Sequence, residues 1–376
     1  MPKEHTVHWL SVVGARPQFV KLAPFCQAVK RHNATGIGPH IDHTIVHTGQ
    51  HYDGNMTDCF FEQMRIPQPD FNLEVGSGPA GRQLGSMLER LESVMCSDRP
   101  AWVIVYGDTN STLAGAMIAA QLNISLAHVE AGCRSYTPDM PEERNRVLSD
   151  HLSQLLLVPS YHAAENLSRE GIGSQDDPLR RRVIWIGDTM YDALLASIGS
   201  AELRSRGTLD SFGLRDNEYY LLTLHRANNT ECPEILERVL TALQNLMFPV
   251  IFPVHPRTRK LLSDVRTQED HSRLHVISPV GYQEMLTLEK HARVILTDSG
   301  GVQKEALYLH VPCVTLRKET EWPETVALGA NRLVGTDPDA ILSALHRPFH
   351  SVDNLPLPFG DGHACENAVA HILECS

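Results

Sequence analysis

The sequence predicts an α/β protein with two domains, each built around a parallel β-sheet. Short apolar runs typical of strands alternate along the chain with longer amphipathic runs typical of helices, as in repeated βα units. The apolar runs are continuous rather than alternating, which indicates strands that are covered by helices on both faces. The length of 376 residues also suits two domains of ordinary size.

The candidate strands are too numerous for one ordinary sheet, and they fall into two halves. The first half contains strands at His8–Val13, Thr44–His47, Trp102–Tyr106, Ser125–Val129, Leu155–Val158 and Val183–Ile186. The second half contains strands at Tyr220–Thr223, Val250–Val254, His275–Ser278, Val294–Thr297 and Cys313–Leu316. Helical runs such as Ser111–Leu122 and Val302–Leu309 separate most of them.

A polar, charged segment divides the two halves of the chain. Gly171–Arg182 reads GIGSQDDPLRRR and predicts a passage between domains. We therefore expect a first domain at residues 1–180 and a second at 181–355. The last helix, 364–375, follows the proline-rich stretch Leu355–Gly362, and we expect it to pack back on the first domain.

Composition excludes several classes of function. The net charge of −12 argues against a general nucleic-acid binder, which needs a basic face. No apolar run approaches the length that crosses a bilayer, and no signal-peptide pattern opens the chain. The eight cysteines include no CxxC pair, which predicts reduced thiols in a cytoplasmic protein.

Charged and polar residues follow nearly every candidate strand. Parallel α/β sheets bind ligands beyond the carboxyl ends of their strands, so these residues predict a binding site there. They suggest two rims, one acidic and one basic, that face each other across a cleft between domains. The segments concerned are GARP at 14–17, GDT at 107–109, EAG at 130–132, His225-Arg226, His255-Pro256-Arg257 and DSGG at 298–301.

Three carboxylates are candidates for proton transfer. Asp108 and Glu130 end two strands that are consecutive in sequence, and we expect those strands to be neighbours. Glu142 follows in the segment MPEERNR. Carboxylates gathered at one rim raise one another's pKa and can serve as general acid and base. Helix capping is the alternative role for Asp108.

The segment TDSGGVQKEA at 297–306 predicts an anion site. A strand ends, Gly300 and Gly301 allow close backbone approach, and a helix begins whose free N–H groups attract negative charge. Ser299 can cap this helix and donate to a phosphate, and Glu305 lies further along it. An ordinary helix cap followed by a glycine turn is the alternative.

Two basic residues near another helix start point to an anionic ligand. Arg16 and Lys21 oppose the dipole of a helix that begins near GARPQFVK. This placement is unfavourable without a ligand, although ordinary solvated surface charges remain the alternative.

Two further patterns are weaker. Gly76–Gly81 fits GxGxxG, but no full-length strand precedes it and no suitable acid follows, so we do not expect a dinucleotide site. His40, His43, His47 and His51 resemble a metal cluster. Strand alternation would place only His43 and His47 on one face, so we expect polar contacts rather than a metal site.

Eight motifs occur in an order that resembles one family. They are GARPQFVKLAP, HTGQHYD, VYGDTNSTLAG, HVEAGCRS, MPEERNR, LHRANNT, PVHPRTR and TDSGGVQKEA. Together they are similar to the non-hydrolysing UDP-N-acetylglucosamine 2-epimerases over about Val12 to Gly335.

The resemblance implies a glycosyltransferase-B-type fold with two Rossmann-like domains that face across a cleft. It implies interconversion of UDP-GlcNAc and UDP-ManNAc by elimination of UDP to 2-acetamidoglucal and re-addition, without a metal or other cofactor. It also implies that the protein binds a UDP-sugar substrate and forms a homodimer. The implied catalytic residues are Asp108, Glu130, Glu142 and His225. The implied substrate-binding residues are Arg16, Lys21, His255, Arg257, Ser299, Gly300, Gly301 and Glu305.

Departures from the family pattern leave other functions open. GARPQFVK, HTGQHYD and ETEWPE resemble a branch that contains epimerases of UDP-2,3-diacetamido-glucuronate. Two extra residues in the loop Gln50–Met56 put activation by UDP-GlcNAc in doubt, and Asn228 stands where many relatives have Glu. GDT and EAG argue against a hydrolysing enzyme. A UDP-sugar-dependent glycosyltransferase and a UDP-sugar sensor without turnover are the rival classes.

Overall fold

The chain divides into two compact units. The computed structural model describes residues 6–50, 61, 64–224, 229, 232–244, 246–254, 259, 262, 273–349, 355 and 357–376. Unit 1 is Met1–Ala196 with Pro358–Ser376, and unit 2 is Ser197–Leu357. Each unit has one parallel sheet with helices between its strands, so the predicted class of two parallel α/β domains is confirmed.

Unit 1 contains a seven-stranded sheet. Its strands are β1 (Thr6–Val13), β2 (His40–His47), β3 (Phe71–Asn72), β4 (Trp102–Tyr106), β5 (Ser125–Val129), β6 (Leu155–Val158) and β7 (Arg182–Trp185). Its helices are α1 (Arg16–Thr35), α2 (Ala80–Asp98), α3 (Asn110–Gln121), α4 (Pro141–Leu152) and α5 (Tyr161–Arg169). Helix α6 (Thr189–Ser211) leaves this unit and enters the next.

Unit 2 contains a six-stranded sheet. Its strands are β8 (Tyr220–Thr223), β9 (Val250–Pro253), β10 (Leu274–Ile277), β11 (Val294–Thr297), β12 (Cys313–Thr315) and β13 (Asn331–Leu333). Its helices are α7 (Pro233–Leu243), α8 (Tyr282–Lys290), α9 (Gly300–Tyr308), α10 (Pro323–Ala327) and α11 (Pro338–His346). A final helix, α12 (Ala364–Glu374), belongs to unit 1.

Both sheets have the strand order of a doubly wound fold. The order is β3-β2-β1-β4-β5-β6-β7 in unit 1 and β10-β9-β8-β11-β12-β13 in unit 2, and all pairs are parallel. The order reverses between β1 and β4, and again between β8 and β11. Such switch points are where open α/β sheets bind ligands.

Helices cover both faces of each sheet, which explains the continuous apolar runs. On β8, Leu222 packs with Leu240 of α7, whereas the next residue back, Leu221, packs with Leu288 of α8. Successive side chains of a strand point to opposite faces, so a strand buried on both sides must be apolar at every position. No helix in the described part of the chain is long and apolar enough to cross a membrane.

Unit 1 contains two segments that lie far apart in sequence, β7 and the final helix α12. β7 pairs with β6 in the first sheet, from Arg182 beside Leu155 onward, although we expected the second domain to begin at residue 181. The compact units divide later, within α6. Helix α12 packs on α1, where Arg31 Nε lies 2.9 Å from Glu366 Oε1.

Candidate active site

The turn after β1 is packed so tightly that only glycine fits at position 14. A Cβ atom on Gly14 would lie 2.0 Å from Thr48 Oγ1 and 2.2 Å from Ser111 Oγ. Gln18 ties this turn to the end of β4, because its Oε1 accepts from Gly14 N at 2.8 Å and its Nε2 donates to Tyr106 O at 3.0 Å. The two turns at the switch point of unit 1 are therefore fixed against each other.

Glu130 and Lys21 form a largely buried ion pair at this edge of the sheet. Lys21 Nζ lies 2.7 Å from Glu130 Oε1, and the side chains are only 8% and 11% exposed. Gly107 packs against the pair, since a Cβ atom there would lie 3.0 Å from Lys21 Nζ and 3.4 Å from Glu130 Oε1. The backbone of Glu130 has a φ of +70°, a left-handed conformation that residues other than glycine rarely adopt. Strain of this kind is typical of functional sites.

Asp108 pairs with a different cation. Its Oδ2 accepts from Arg146 Nη2, and 27% of the Asp108 side chain is exposed. The other end of the guanidinium, Nη1, lies 3.0 Å from Glu143 Oε2. Glu143 also accepts from Ser135 N and Oγ at 2.9 Å each, so it is a fixed support for Arg146. Sequence reasoning singled out the acidic pair Glu142-Glu143 in MPEERNR but not Arg146.

The two remaining candidates of unit 1 lie at the surface. Glu142 is exposed at the start of α4, whereas its neighbour Glu143 is buried. Arg16 is exposed as the first residue of α1.

Asp108 and Glu130 follow neighbouring strands, since Tyr106 of β4 pairs with Val129 of β5. Unit 1 therefore brings Lys21, Asp108 and Glu130 to one switch point, with Arg16 and Glu142 available to solvent.

Unit 2 has a capped helix start at its own switch point. Ser299 is the N-cap of α9 and accepts from Val302 N at 3.4 Å. Gly300 lies against an indole, since a Cβ atom there would lie 3.2 Å from Trp322 Nε1. Lys304, buried on α9, lies 3.8 Å from the centroid of the Trp322 ring. A helix start with two glycines and a nearby lysine suits a bound anion.

Glu305 is fixed by a tyrosine that sequence reasoning did not single out. Tyr282, the first residue of α8, donates from its hydroxyl group to Glu305 Oε1 at 3.1 Å. Both side chains are buried. This bond fixes the position of the Glu305 carboxylate beside the start of α8.

The loop after β12 carries a second buried ion pair. Arg317 donates to Glu321 through two bonds of 2.9 Å, and both side chains are buried. This pair fixes the segment that carries Trp322. Its signal in the sequence is the motif ETEWPE at 319–324.

Three predicted site residues, His225, His255 and Arg257, lie outside the described residues. Within the described residues, no group of three or more His, Cys, Asp or Glu side chains is placed to hold a metal ion. His43 instead lies 2.7 Å from Ser11 Oγ, and His47 lies 3.3 Å from Asn72 Oδ1.

Comparison with known proteins identifies the family. The family model described as UDP-N-acetylglucosamine 2-epimerase matches residues 34–373. A UDP-N-acetylglucosamine 2-epimerase homolog of Methanococcus maripaludis is 46% identical over 358 residues, which is 94% of this chain and 96% of the relative. A UDP-2,3-diacetamido-2,3-dideoxy-D-glucuronate 2-epimerase of Pseudomonas aeruginosa is 41% identical, with 89% of this chain and 90% of the relative covered.

A solved structure agrees with the fold as well. The crystal structure of Methanocaldococcus jannaschii UDP-GlcNAc 2-epimerase in complex with UDP-GlcNAc and UDP has a TM-score of 0.85 and 40% identity. The match covers 99% of this chain and 100% of that one. The chain therefore belongs to the UDP-N-acetylglucosamine 2-epimerase family of isomerases, as its motifs predicted.

Proposed function

We propose that the protein catalyses the non-hydrolysing epimerisation of a UDP-N-acetylhexosamine at C2, from UDP-GlcNAc to UDP-ManNAc and back. The observation that carries this proposal is the switch point of unit 1, where Glu130 pairs with Lys21 and Asp108 pairs with Arg146. Carboxylates held beside cations suit a reaction that moves a proton and develops negative charge on a leaving group. The similarity to an epimerase that binds UDP-GlcNAc and UDP supports the same substrate class.

The proposed reaction proceeds by elimination and re-addition. A base removes the proton at C2, the bond between C1 and the UDP oxygen breaks, and its electrons leave with UDP. The intermediate is 2-acetamidoglucal, with a double bond between C1 and C2. UDP then returns to C1 while an acid protonates C2 on the opposite face.

Unit 1 supplies the acid–base groups in this proposal and unit 2 binds UDP. Asp108, Glu130 and Glu142 transfer protons together with His225, and Arg16 and Lys21 balance negative charge. Ser299 and the amide groups of Gly300 and Gly301 bind phosphates, and the helix start favours their charge. Glu305 binds the ribose hydroxyl groups, and His255 and Arg257 contribute further substrate contacts.

A more oxidised sugar is the alternative substrate. The relative of Pseudomonas aeruginosa is named for UDP-2,3-diacetamido-2,3-dideoxy-D-glucuronate and is 41% identical to this chain. The motif ETEWPE at 319–324 also favours that branch. A UDP-sugar-dependent glycosyltransferase is the second alternative, and an acceptor-dependent product would support it.

The test is proton exchange at C2. The pure protein is incubated with UDP-GlcNAc in D2O and followed by proton NMR. Formation of UDP-ManNAc with deuterium at C2, without free ManNAc, is the expected result. If no exchange occurs with UDP-GlcNAc or with UDP-2,3-diacetamido-glucuronate, the epimerase proposal is wrong.

We further propose a cytoplasmic homodimer that supplies a sugar nucleotide for polysaccharide synthesis. Free thiols support a reducing compartment, because Cys26, Cys313 and Cys365 are buried free cysteines in the described part of the chain. The mass by light scattering tests the dimer, for which a monomer at working concentration is the contrary result.

A further inference from the structure

A buried charged cluster connects the two turns that carry Asp108 and Glu130. His128 on β5 and Asp150 on α4 are fully buried, and His128 Nδ1 lies 2.7 Å from Asp150 Oδ1. The other ring nitrogen, Nε2, lies 2.7 Å from the carbonyl oxygen of Gly107. Because a carbonyl oxygen only accepts, Nε2 carries a hydrogen and donates it. His128 thereby holds the residue that precedes Asp108.

Asp150 holds the turn that follows Glu130. Its Oδ2 accepts from Gly132 N at 3.1 Å and from Arg134 Nη1 at 2.7 Å. Arg134 also donates to Glu170 through bonds of 2.7 and 2.8 Å. Burial raises the pKa of Asp150, but His128 and Arg134 outweigh it, so the pKa lies below its usual value. The carboxylate therefore stays charged and fully hydrogen bonded.

The turns that this cluster holds have left-handed backbone conformations, one of them at a residue other than glycine. Gly107, Glu130 and Gly132 all have left-handed backbone conformations, with φ of +62°, +70° and +78°. Glycine adopts this conformation readily, whereas at Glu130 it persists only where the surroundings fix it. The bonds to Gly107 O and Gly132 N fix the backbone on both turns, and they bracket the two candidate carboxylates.

We propose that His128 and Asp150 are positioning residues for the epimerisation, which hold Asp108 and Glu130 in the geometry that proton transfer at C2 requires. This inference rests on the proposed function. The two residues act through the backbone and do not touch the substrate. Proton transfer depends steeply on geometry, and a displacement of about 1 Å can reduce turnover by about 10²-fold.

Two variants of His128 distinguish the hydrogen bonds made by its two ring nitrogens. In His128→Gln the side-chain amide replaces Nε2 and can still donate to Gly107 O, whereas in His128→Asn it replaces Nδ1 and reaches only Asp150. His43 is the control, because it is also a strand histidine of unit 1 whose side chain makes a hydrogen bond, here a partly buried one to Ser11. His43→Asn removes that bond at a place outside the proposed site.

The experiment measures kcat, KM and UDP affinity for the folded fraction of each variant. We expect His128→Asn to lower kcat by about 10²-fold, with KM and UDP affinity within about twofold of the wild type. His128→Gln should recover much of the lost kcat, since it restores the bond to the backbone. His43→Asn should lose stability and keep its kcat.

The outcomes distinguish the two proposals. If the wild type exchanges C2 protons and His128→Asn has the same kcat as His43→Asn, the positioning role is wrong and the proposed function stands. Equal losses in kcat for His128→Asn and His128→Gln would also overturn it. If His128→Asn does not fold, Asp150→Asn replaces it in the test, and an unchanged kcat in that variant would show that the positioning role is wrong. A wild type without C2 exchange on either sugar overturns both proposals.

Discussion

Unit 1 and unit 2 use the same local structure at equivalent places in their sheets. In unit 1, β4 lies beside the first strand, β1, and is followed by Gly107, Asp108 and then Thr109, which caps α3. In unit 2, β11 lies beside the first strand, β8, and ends in Asp298 followed by Ser299, which caps α9. Each turn thus has an aspartate, a hydroxyl cap and a helix start at a switch point.

The two aspartates differ in what surrounds them. The side chain of Asp108 is 27% exposed and pairs with Arg146. Asp298 is fully buried and accepts from Asn229 Nδ2 at 3.0 Å. A buried carboxylate bound to an amide serves the fold, whereas a partly exposed one beside a cation can meet a substrate. We therefore propose a catalytic role for Asp108 and a structural role for Asp298.

The two helix starts also differ, because the one in unit 1 is occupied by a side chain of the protein and the one in unit 2 begins with glycines. In unit 1 the side chain of Gln50 occupies the start of α3, where its Oε1 accepts from Ser111 N at 3.1 Å and Ser111 Oγ at 2.7 Å. In unit 2 the helix begins with Gly300 and Gly301. A helix start attracts an acceptor, and in unit 1 the protein supplies one itself. This contrast supports acid–base chemistry in unit 1 and phosphate binding in unit 2.

The largest effect expected from this contrast is that of Asp108→Asn. The amide cannot exchange a proton, so turnover should fall by about 10³-fold, within the range for loss of a general acid or base. UDP affinity, measured by calorimetry, should stay within about twofold because the proposed phosphate site lies in unit 2. Full turnover would remove Asp108 from the chemistry.

Asp298→Asn is the matched control for that variant. It makes the same change at the equivalent turn, where the carboxylate is buried against Asn229. We expect it to lower the free energy of unfolding by about 2 kcal/mol, the scale of a lost hydrogen bond to a charged group. Its kcat should stay within about threefold, and a 10³-fold loss there would contradict the division of roles.

Glu305→Ala should have the next largest effect, on binding rather than turnover. Removal of a buried carboxylate that accepts from ribose hydroxyl groups should weaken UDP binding by about 10- to 100-fold, the scale of charge-assisted hydrogen bonds. Calorimetry with UDP measures this loss. An affinity equal to that of the wild type would exclude Glu305 from the UDP site.

Gly107→Ala should reduce turnover by about tenfold. The new methyl group would lie 3.0 Å from Lys21 Nζ and 3.4 Å from Glu130 Oε1, so the ion pair must shift. A displacement of a few tenths of an ångström is enough to disturb proton transfer. Steady-state rates in the C2 exchange assay measure the loss.

Gly36→Ala separates that contact from backbone strain. Gly36 has a φ of +63°, almost the +62° of Gly107, but a Cβ atom there meets nothing within 4 Å. Both variants should lose about 1 kcal/mol of stability from the left-handed backbone. Only Gly107→Ala should lose turnover, and equal rates for the two variants would show that the contact has no catalytic effect.

Most strands could be predicted from the sequence because they are apolar runs buried on both faces. β3 and β13 could not, since Phe71–Asn72 and Asn331–Leu333 are short and carry polar residues. β2 begins at His40 rather than at the predicted Thr44. Its first half was missed because that half is mixed in polarity and only partly buried. Apolar composition decided which strands could be recognised, since β7 and β10 were predicted although no residue of either strand is fully buried.

The candidate residues of the turns could be predicted because strand ends concentrate chemistry, but their partners could not. Arg146 meets Asp108 across 38 positions, and His128 meets Gly107 across 21. Such pairings depend on strand order and helix packing, which local sequence does not specify. One signal was available: a histidine inside the apolar strand LAHV needs a buried partner, which is a reason to look for one.

Tyr282→Phe should have the smallest effect and the most specific one. The phenol donates to Glu305 Oε1, so its loss frees that carboxylate to turn without removing it. A hydrogen bond to a charged group is worth about 2 kcal/mol, and because Glu305 stays in place we expect about half of that to be lost from binding, so UDP should bind about fivefold more weakly. The loss should disappear with a UDP analogue that lacks the ribose hydroxyl groups, because Glu305 then has nothing to hold. A fivefold loss for both ligands would show instead that Tyr282 contacts another part of the nucleotide, and that Glu305 is not positioned by it.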